Sequence, residues 1–233
     1  MTNVLLVEED DPEIARIIKY YLGQSESYQV DWVRDAQQAW VAARGGYDVI
    51  LLDIMLPDMD GISLCGQLRE WYHCPILFIS CLGDSETIIR ALERGGDDYI
   101  VKPFDNDVLH ARIQANLRRA RLEAEAVPGS GFSCAYFSLD AQNHILHKDG
   151  RNIQLVSMES RLLAFFMQNP HQYFSAAELY KIIWGKQSYG DNRTVTVHIY
   201  NLRKKLEDDP PNPRFLKNVW GKGYCFDPNG GGE

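Results

Sequence analysis

The 233-residue sequence is short of the features that mark a membrane, secreted or wholly nucleic-acid-coating protein. No apolar run approaches the ~20 residues that cross a bilayer. The opening stretch Met1–Glu8 has no basic region and turns acidic at once, so no signal peptide is expected. Five cysteines, at 65, 74, 81, 134 and 225, form no C-x-x-C pair. Neither a disulfide framework nor a zinc site is expected, and a reducing cytoplasm fits. Cations are in deficit: the net charge of −8 argues against a surface that coats nucleic acid all round. A G-x-x-x-x-G-K-[ST] loop and an H-E-x-x-H pair are both missing, which leaves P-loop and zincin chemistry without support. With 45% hydrophobic and 24% charged residues, the composition is that of a folded globular chain.

What charge there is divides unevenly. Residues 1–121 hold 20 Asp and Glu against 12 Lys and Arg, whereas residues 134–233 hold 10 against 12. The segment Arg193–Lys222 carries seven basic and three acidic residues. An acidic front half and a locally basic back half suggest two jobs on one chain. Helical composition ends near Arg121 and runs into Pro128-Gly129-Ser130-Gly131. Residues 1–121 are therefore expected as one domain, 122–133 as a flexible linker, 134–228 as a second domain and 229–233 as a disordered tail.

In the first domain short apolar runs at Val4–Val7, Val30–Val33, Val49–Leu52, Ile76–Ile79 and Tyr99–Val101 alternate with amphipathic stretches. Five strands, each followed by a helix, predict a doubly wound parallel α/β sheet. Ligands of such sheets bind beyond the carboxyl ends of the strands. Glu8, Glu9, Asp10 and Asp11 follow the first run, Asp53 the third, Ser80 the fourth and Lys102 the fifth. Taken alone, Glu8–Asp11 reads as a solvated acidic loop. Matched groups at four strand ends read otherwise. Clustered carboxylates call for a hard divalent cation, and Mg²⁺ suits a few carboxylates, waters and a phosphoryl group. Asp53 can then act as a nucleophile that forms an acyl phosphate, with Lys102 and the Ser80 hydroxyl holding phosphoryl oxygens.

Leu5-Leu6-Val7-Glu8-Glu9-Asp10, Asp53-Ile54-Met55-Leu56-Pro57-Asp58-Met59-Asp60-Gly61, Phe78-Ile79-Ser80 and Gly95–Phe104 resemble, in order and spacing, the receiver domain of two-component response regulators. The resemblance implies a flavodoxin-like, five-stranded fold and a sensor histidine kinase that phosphorylates Asp53. It also implies an Mg²⁺ site set up by Glu8, Glu9, Asp53 and the Met55 carbonyl, and a switch pair, Ser80 and Tyr99. Two positions depart from the family. Glu9 stands where Asp is usual, and Cys81 where Ala or Gly is usual.

The second domain opens with two-residue alternation from Phe137 to Leu155. Helical periodicity follows at Met158–Gln168, Ala176–Trp184 and Arg193–Leu206, and then two short strands flank Trp220-Gly221-Lys222-Gly223. On Arg193–Leu206 a stripe of Val195, Ile199, Leu202 and Leu206 predicts a core face. The opposite face carries Arg193, Val197, Tyr200, Asn201 and Lys204. An Asn that can bond an adenine edge and an apolar group that can meet a thymine methyl suit a groove-reading helix. An ordinary polar face is the commoner explanation of any single such helix.

Together with Asp191–Ile199, Leu202–Leu206 and Trp220–Tyr224, these segments resemble the α+β winged helix-turn-helix domain of the OmpR/PhoB subfamily. The resemblance implies promoter-DNA contacts by Arg193, Thr194, Thr196, Val197, His198, Tyr200, Asn201, Arg203 and Lys204 in the major groove, and by Trp220 and Lys222 on the wing. It makes loop 185–192 a contact for RNA polymerase. It makes Arg90, Asp97, Asp98, Arg112 and Arg119 a homodimer face, with Asp98–Arg112 bridging two copies. The whole is expected to be a phosphorylation-dependent transcriptional regulator, not an enzyme beyond its own phosphotransfer and dephosphorylation. Two other readings are a DNA-binding regulator active without phosphorylation and an aspartyl-phosphate phosphotransferase. A common phosphatase pattern puts a second Asp two residues after the nucleophile, where Met55 stands.

Overall fold

The computed structural model describes residues 1–8, 12–24, 27–124, 132–184 and 192–231. The chain divides into two compact units, Met1–Ala120 and Arg121–Glu233. Among the described residues no helix is long and apolar enough to cross a membrane.

In the first unit β1 (Thr2–Val7), β2 (Tyr28–Val33), β3 (Val49–Leu52), β4 (Ile76–Ser80) and β5 (Asp98–Val101) form a parallel sheet in the order β2-β1-β3-β4-β5. The apolar runs dictate this. Every residue of β3 and β4 is buried, which only a sheet covered on both faces allows. The cover comes from α1 (Pro12–Gly23), α2 (Ala36–Ala43), α3 (Gly61–Arg69), α4 (Ser85–Glu93) and α5 (Asn106–Ala124). Three of these start on a carboxylate that accepts from a first-turn amide: Asp35 from Gln38, Asp60 from Ile62 and Asp84 from Thr87.

The strand order reverses between β1 and β3. The crevice beyond their carboxyl ends is therefore where Glu8 and Asp53 emerge. The loop after β3 folds back tightly: the Gly61 amide donates to the Ile54 carbonyl at 2.9 Å. A Cβ on Gly61 would sit 2.0 Å from the Asp53 carbonyl oxygen, so only glycine fits there. Asp58, in the same loop, accepts from the amides of Ala36 and Gln37 at 2.9 and 3.0 Å and fastens the loop to α2. Those hydrogen bonds hold the Asp58 carboxyl below its ordinary pKa.

The second unit begins with an antiparallel sheet of β6 (Phe132–Ser133), β7 (Phe137–Asp140), β8 (Ile145–Lys148) and β9 (Arg151–Gln154). Then come α6 (Ser157–Gln168), β10 (Tyr173–Phe174), α7 (Ala176–Trp184), α8 (Asn192–Leu206), β11 (Leu216–Val219) and β12 (Gly223–Phe226). The last two strands form a hairpin that β10 extends to the sheet β10-β12-β11. The apolar stripe of α8 lies in the core with Trp184, Phe166, Phe215 and Phe226, as its spacing requires. Two segments are more ordered than their composition suggests. Phe132 and Ser133, expected in a linker, pair with Leu139 and Ser138. Asn229 and Gly231, expected in a disordered tail, donate backbone hydrogen bonds to Asp227.

A buried carboxylate joins the end of α8 to the hairpin. Glu207 accepts from the amides of Arg214 (2.8 Å), Phe215 (3.0 Å) and Leu216 (2.8 Å). Glu207→Ala would strand these donors and is expected to lower stability by about 3 kcal/mol, with Glu207→Gln costing less. Urea unfolding of both variants checks this; a loss within error of wild type would deny the carboxylate its anchoring role.

Candidate functional site

Four strand ends deliver their side chains to one place. Glu8 follows β1, Asp53 follows β3, Ser80 closes β4 and Lys102 follows β5, and all four are buried. The Lys102 ammonium lies 2.6 Å from Asp53 Oδ2 and 2.7 Å from Glu8 Oε2, bridging residues 49 and 94 positions away in sequence. The Lys102–Pro103 bond is cis. Burial alone would lower the pKa of Lys102. The hydrogen bonds and charges of Asp53 and Glu8 outweigh it and hold the ammonium above its ordinary pKa. Asp53 Oδ1 accepts from the Met55 amide at 3.1 Å, so both carboxylate oxygens are oriented.

Two buried carboxylates facing one ammonium leave a net negative charge. That donor set fits a hard cation that takes few protein ligands. Among the described residues no three metal-ligating side chains cluster. Glu9, expected as a ligand, lies outside the described residues.

Ser80 and Tyr99 are brought together. The Ser80 hydroxyl is a hydrogen-bond neighbour of the phenol, whose own hydroxyl donates to the Leu82 carbonyl. The Tyr99 ring is buried and stacks on Phe78 at 6.0 Å between centroids. Burial, with the nearby carboxylates and against the Ser80 hydrogen bond, pushes the phenol pKa up to about 12. Cys81, next in line, is exposed.

The charged residues expected on a dimer face are largely engaged within the chain. Arg112 Nη1 donates to Asp98 Oδ1 at 2.9 Å and to the Tyr99 carbonyl at 3.0 Å, and both partners are buried. The Asp98–Arg112 pair expected between copies is thus intramolecular here, because α5 runs beside β5 and the long guanidinium reaches back. Asp97 is buried, paired with Arg69 and accepting from the Ile76 amide at 2.9 Å. Arg90 lies 3.7 Å from Asp60, and Arg119 is buried. Exposed on α4 and β5 are Ser85, Glu86, Ile89, Arg90, Glu93 and Val101.

On α8 the exposed residues after the first are Arg193, Thr196, Tyr200 and Lys204, a stripe spaced by three and four. Thr194, Val197, His198 and Asn201, expected against DNA, are buried. A step of one residue turns a helix by about 100°, which takes Val197 and Asn201 off the exposed stripe. Lys204 lies over the Tyr200 ring at 4.4 Å. Arg203, also expected at DNA, instead donates to the Leu216 carbonyl at 2.8 Å and braces the hairpin. Desolvation lowers its pKa. At the hairpin tip Trp220 and Lys222 are both exposed. Residues 185–191 of the expected polymerase loop lie outside the described residues. The structural roles of Arg203 and Glu207 carry no sequence signal, since both read as ordinary polar residues at a helix end.

Residues 4–114 match the family model of the response regulator receiver domain, and residues 150–226 that of transcriptional regulatory protein, C terminal. The uncharacterized transcriptional regulatory protein YrkP of Bacillus subtilis (strain 168) is 34% identical over 229 residues, 97% of this chain and 99% of that protein. Transcriptional regulatory protein SrrA of Staphylococcus aureus (strain NCTC 8325 / PS 47) is 33% identical over 233 residues, 97% and 96% of the two chains. The solved structure of a RitR mutant superposes with a TM-score of 0.74 at 26% identity, covering 97% of this chain and 99% of that one.

Proposed function

The chain belongs to the two-component response regulators of the OmpR/PhoB type, DNA-binding transcriptional regulators with a receiver in front, and we propose that phosphorylation of Asp53 is its switch. The observation that carries this reading is the buried Asp53–Lys102–Glu8 arrangement at the strand-order reversal. An Asp53 carboxylate oxygen attacks the phosphorus of a kinase phosphohistidine. The P–N bond breaks, the imidazole leaves with the electron pair, and an acyl phosphate forms on Asp53. Lys102 then has a phosphoryl oxygen in reach in place of the carboxylate oxygen it binds at 2.6 Å. The Ser80 hydroxyl supplies a second hydrogen bond. Mg²⁺ would be held by Asp53, Glu8 and the Met55 carbonyl, with Glu9, and would neutralise charge on the transferring group. The chain's own chemistry is limited to this transfer and its reversal by hydrolysis.

Tyr99 and the Leu82 carbonyl tie β5 to the loop before α4. A Ser80 hydroxyl drawn to the phosphoryl group changes the contact that Tyr99 makes, and so the α4–β5–α5 surface. Ile89 and Val101 give that surface apolar area for a second phosphorylated copy, with Arg90 at its rim. Arg193, Thr196, Tyr200 and Lys204 face the major groove of promoter DNA. Two such helices in a dimer would meet half-sites about one helical turn apart.

Phosphoramidate with Mg²⁺, followed by peptide mass spectrometry, is expected to place phosphate on Asp53. Size exclusion is expected to move the treated protein from monomer to dimer. Phosphate elsewhere, or on no residue, would overturn the switch.

A further inference from the structure

The tip of the β11–β12 hairpin carries a side chain with no structural employment. Trp220 is 98% exposed, more than any other large apolar residue described. Its mounting is firm. The ladder closes at Val219 and Gly223, and the Lys222 amide donates to the Val219 carbonyl at 3.0 Å. Gly221 takes the turn's left-handed position at φ +76°. Gly223, at φ +101°, lies so close to β10 that a Cβ would be 2.3 Å from the Phe174 carbonyl oxygen. Arg203 fastens the foot of the hairpin to α8. The backbone that carries the indole is therefore held at a fixed offset from the exposed stripe of α8.

The surroundings select the partner. Between Leu216 and Phe226 the chain has no carboxylate and two cations: Lys217, which pairs with Asp227 at 2.7 Å, and Lys222, which is left to supply the positive charge beside the indole. The residues flanking the indole, Asn218 and Lys222, are exposed and polar or cationic rather than apolar. Lys222 is also within 5.2 Å of the Tyr173 ring centroid. A protein-binding indole would be ringed by further apolar contacts. One apolar plate with a cationic rim suits a narrow anionic groove with stacked bases at its floor.

Resting on the DNA-binding reading above, we propose that the Trp220 indole is a minor-groove wedge that partly unstacks one base step and bends the bound DNA. Wedges of this kind favour pyrimidine–purine steps, which unstack most easily. The site should therefore prefer a TA or CA/TG step under the hairpin, away from the bases beneath α8.

The test uses the full chain treated with phosphoramidate, its selected genomic DNA fragment, and Trp220→Ala and Trp220→Phe. Because the side chain packs on nothing, thermal stability should be unchanged. Trp220→Ala is expected to bind about tenfold more weakly. Circular-permutation gels should register a smaller bend, and the step preference should be lost; Trp220→Phe should fall between. Equal affinity and bend for Trp220→Ala and wild type would overturn the wedge while leaving DNA binding in place. Unchanged binding and bending with lost transcription would assign the indole to a protein partner and overturn it as well. A wild type that selects no DNA would overturn the DNA-binding reading and the wedge together.

Discussion

Asp53→Asn is expected to take up no phosphate from phosphoramidate or from a kinase, and its DNA affinity should stop responding to either donor. The substitution keeps the shape of the side chain and removes only the nucleophilic charge. Among the described residues no neighbour can substitute for it. Glu8 is fully buried and committed to Lys102 at 2.7 Å, and Ser80 offers only a neutral hydroxyl. Coupling between a receiver and a DNA site is a free-energy difference of about 1–3 kcal/mol, or roughly 5–150-fold in affinity. That whole factor should vanish in the variant while the affinity of untreated protein stays as in wild type. Intact-mass spectrometry and fluorescence anisotropy on one fragment measure both quantities. A variant that still gains affinity on phosphodonor treatment would move the switch to another residue.

The proposed phosphoacceptor site is legible in sequence because a buried parallel sheet makes it so. Continuous apolar runs fix the strands, strand ends fix the edge, and Glu8, Asp53, Ser80 and Lys102 then have one place to meet. Less legible is whatever depends on who reaches whom. Asp98 and Arg112 are complementary in any arrangement; only the run of α5 beside β5 decides that they meet inside one chain. Helical spacing finds the core stripe of α8 correctly, since Val195, Ile199, Leu202 and Leu206 are all buried. It assigns Val197 and Asn201 to the opposite face too generously, because α8 buries more than half its circumference and leaves only the narrow stripe through Thr196 and Tyr200 exposed. Glu207 and Arg203 look like solvated ends of a basic helix. They turn inward because the hairpin that follows brings unsatisfied amides and a carbonyl to them.

Lys102→Met is expected to have the second large effect, on stability as well as on chemistry. The ammonium is the shared partner of Glu8 and Asp53, and all three are buried. Removing it leaves two like charges facing one another out of water, and losing one member of such a buried arrangement costs about 3–5 kcal/mol. The wild-type contribution is insensitive to pH in the neutral range. With its pKa raised in the fold above the ordinary 10.5, Lys102 contributes in full below that value and loses its contribution only as pH rises through the folded value. Adding Glu8→Gln to Lys102→Met should recover a good part of the lost stability by removing one of the two charges, but should leave phosphoryl transfer slow, because no ammonium then meets the phosphoryl oxygens at the strand ends and residue 8 no longer offers Mg²⁺ a carboxylate. That split separates two jobs of a single ammonium: urea unfolding across pH reads the first, and the rate of acyl-phosphate formation reads the second. If the double variant recovered both, Lys102 would be a structural counter-ion alone. If it recovered neither, the buried charge balance would not be what holds these strand ends together.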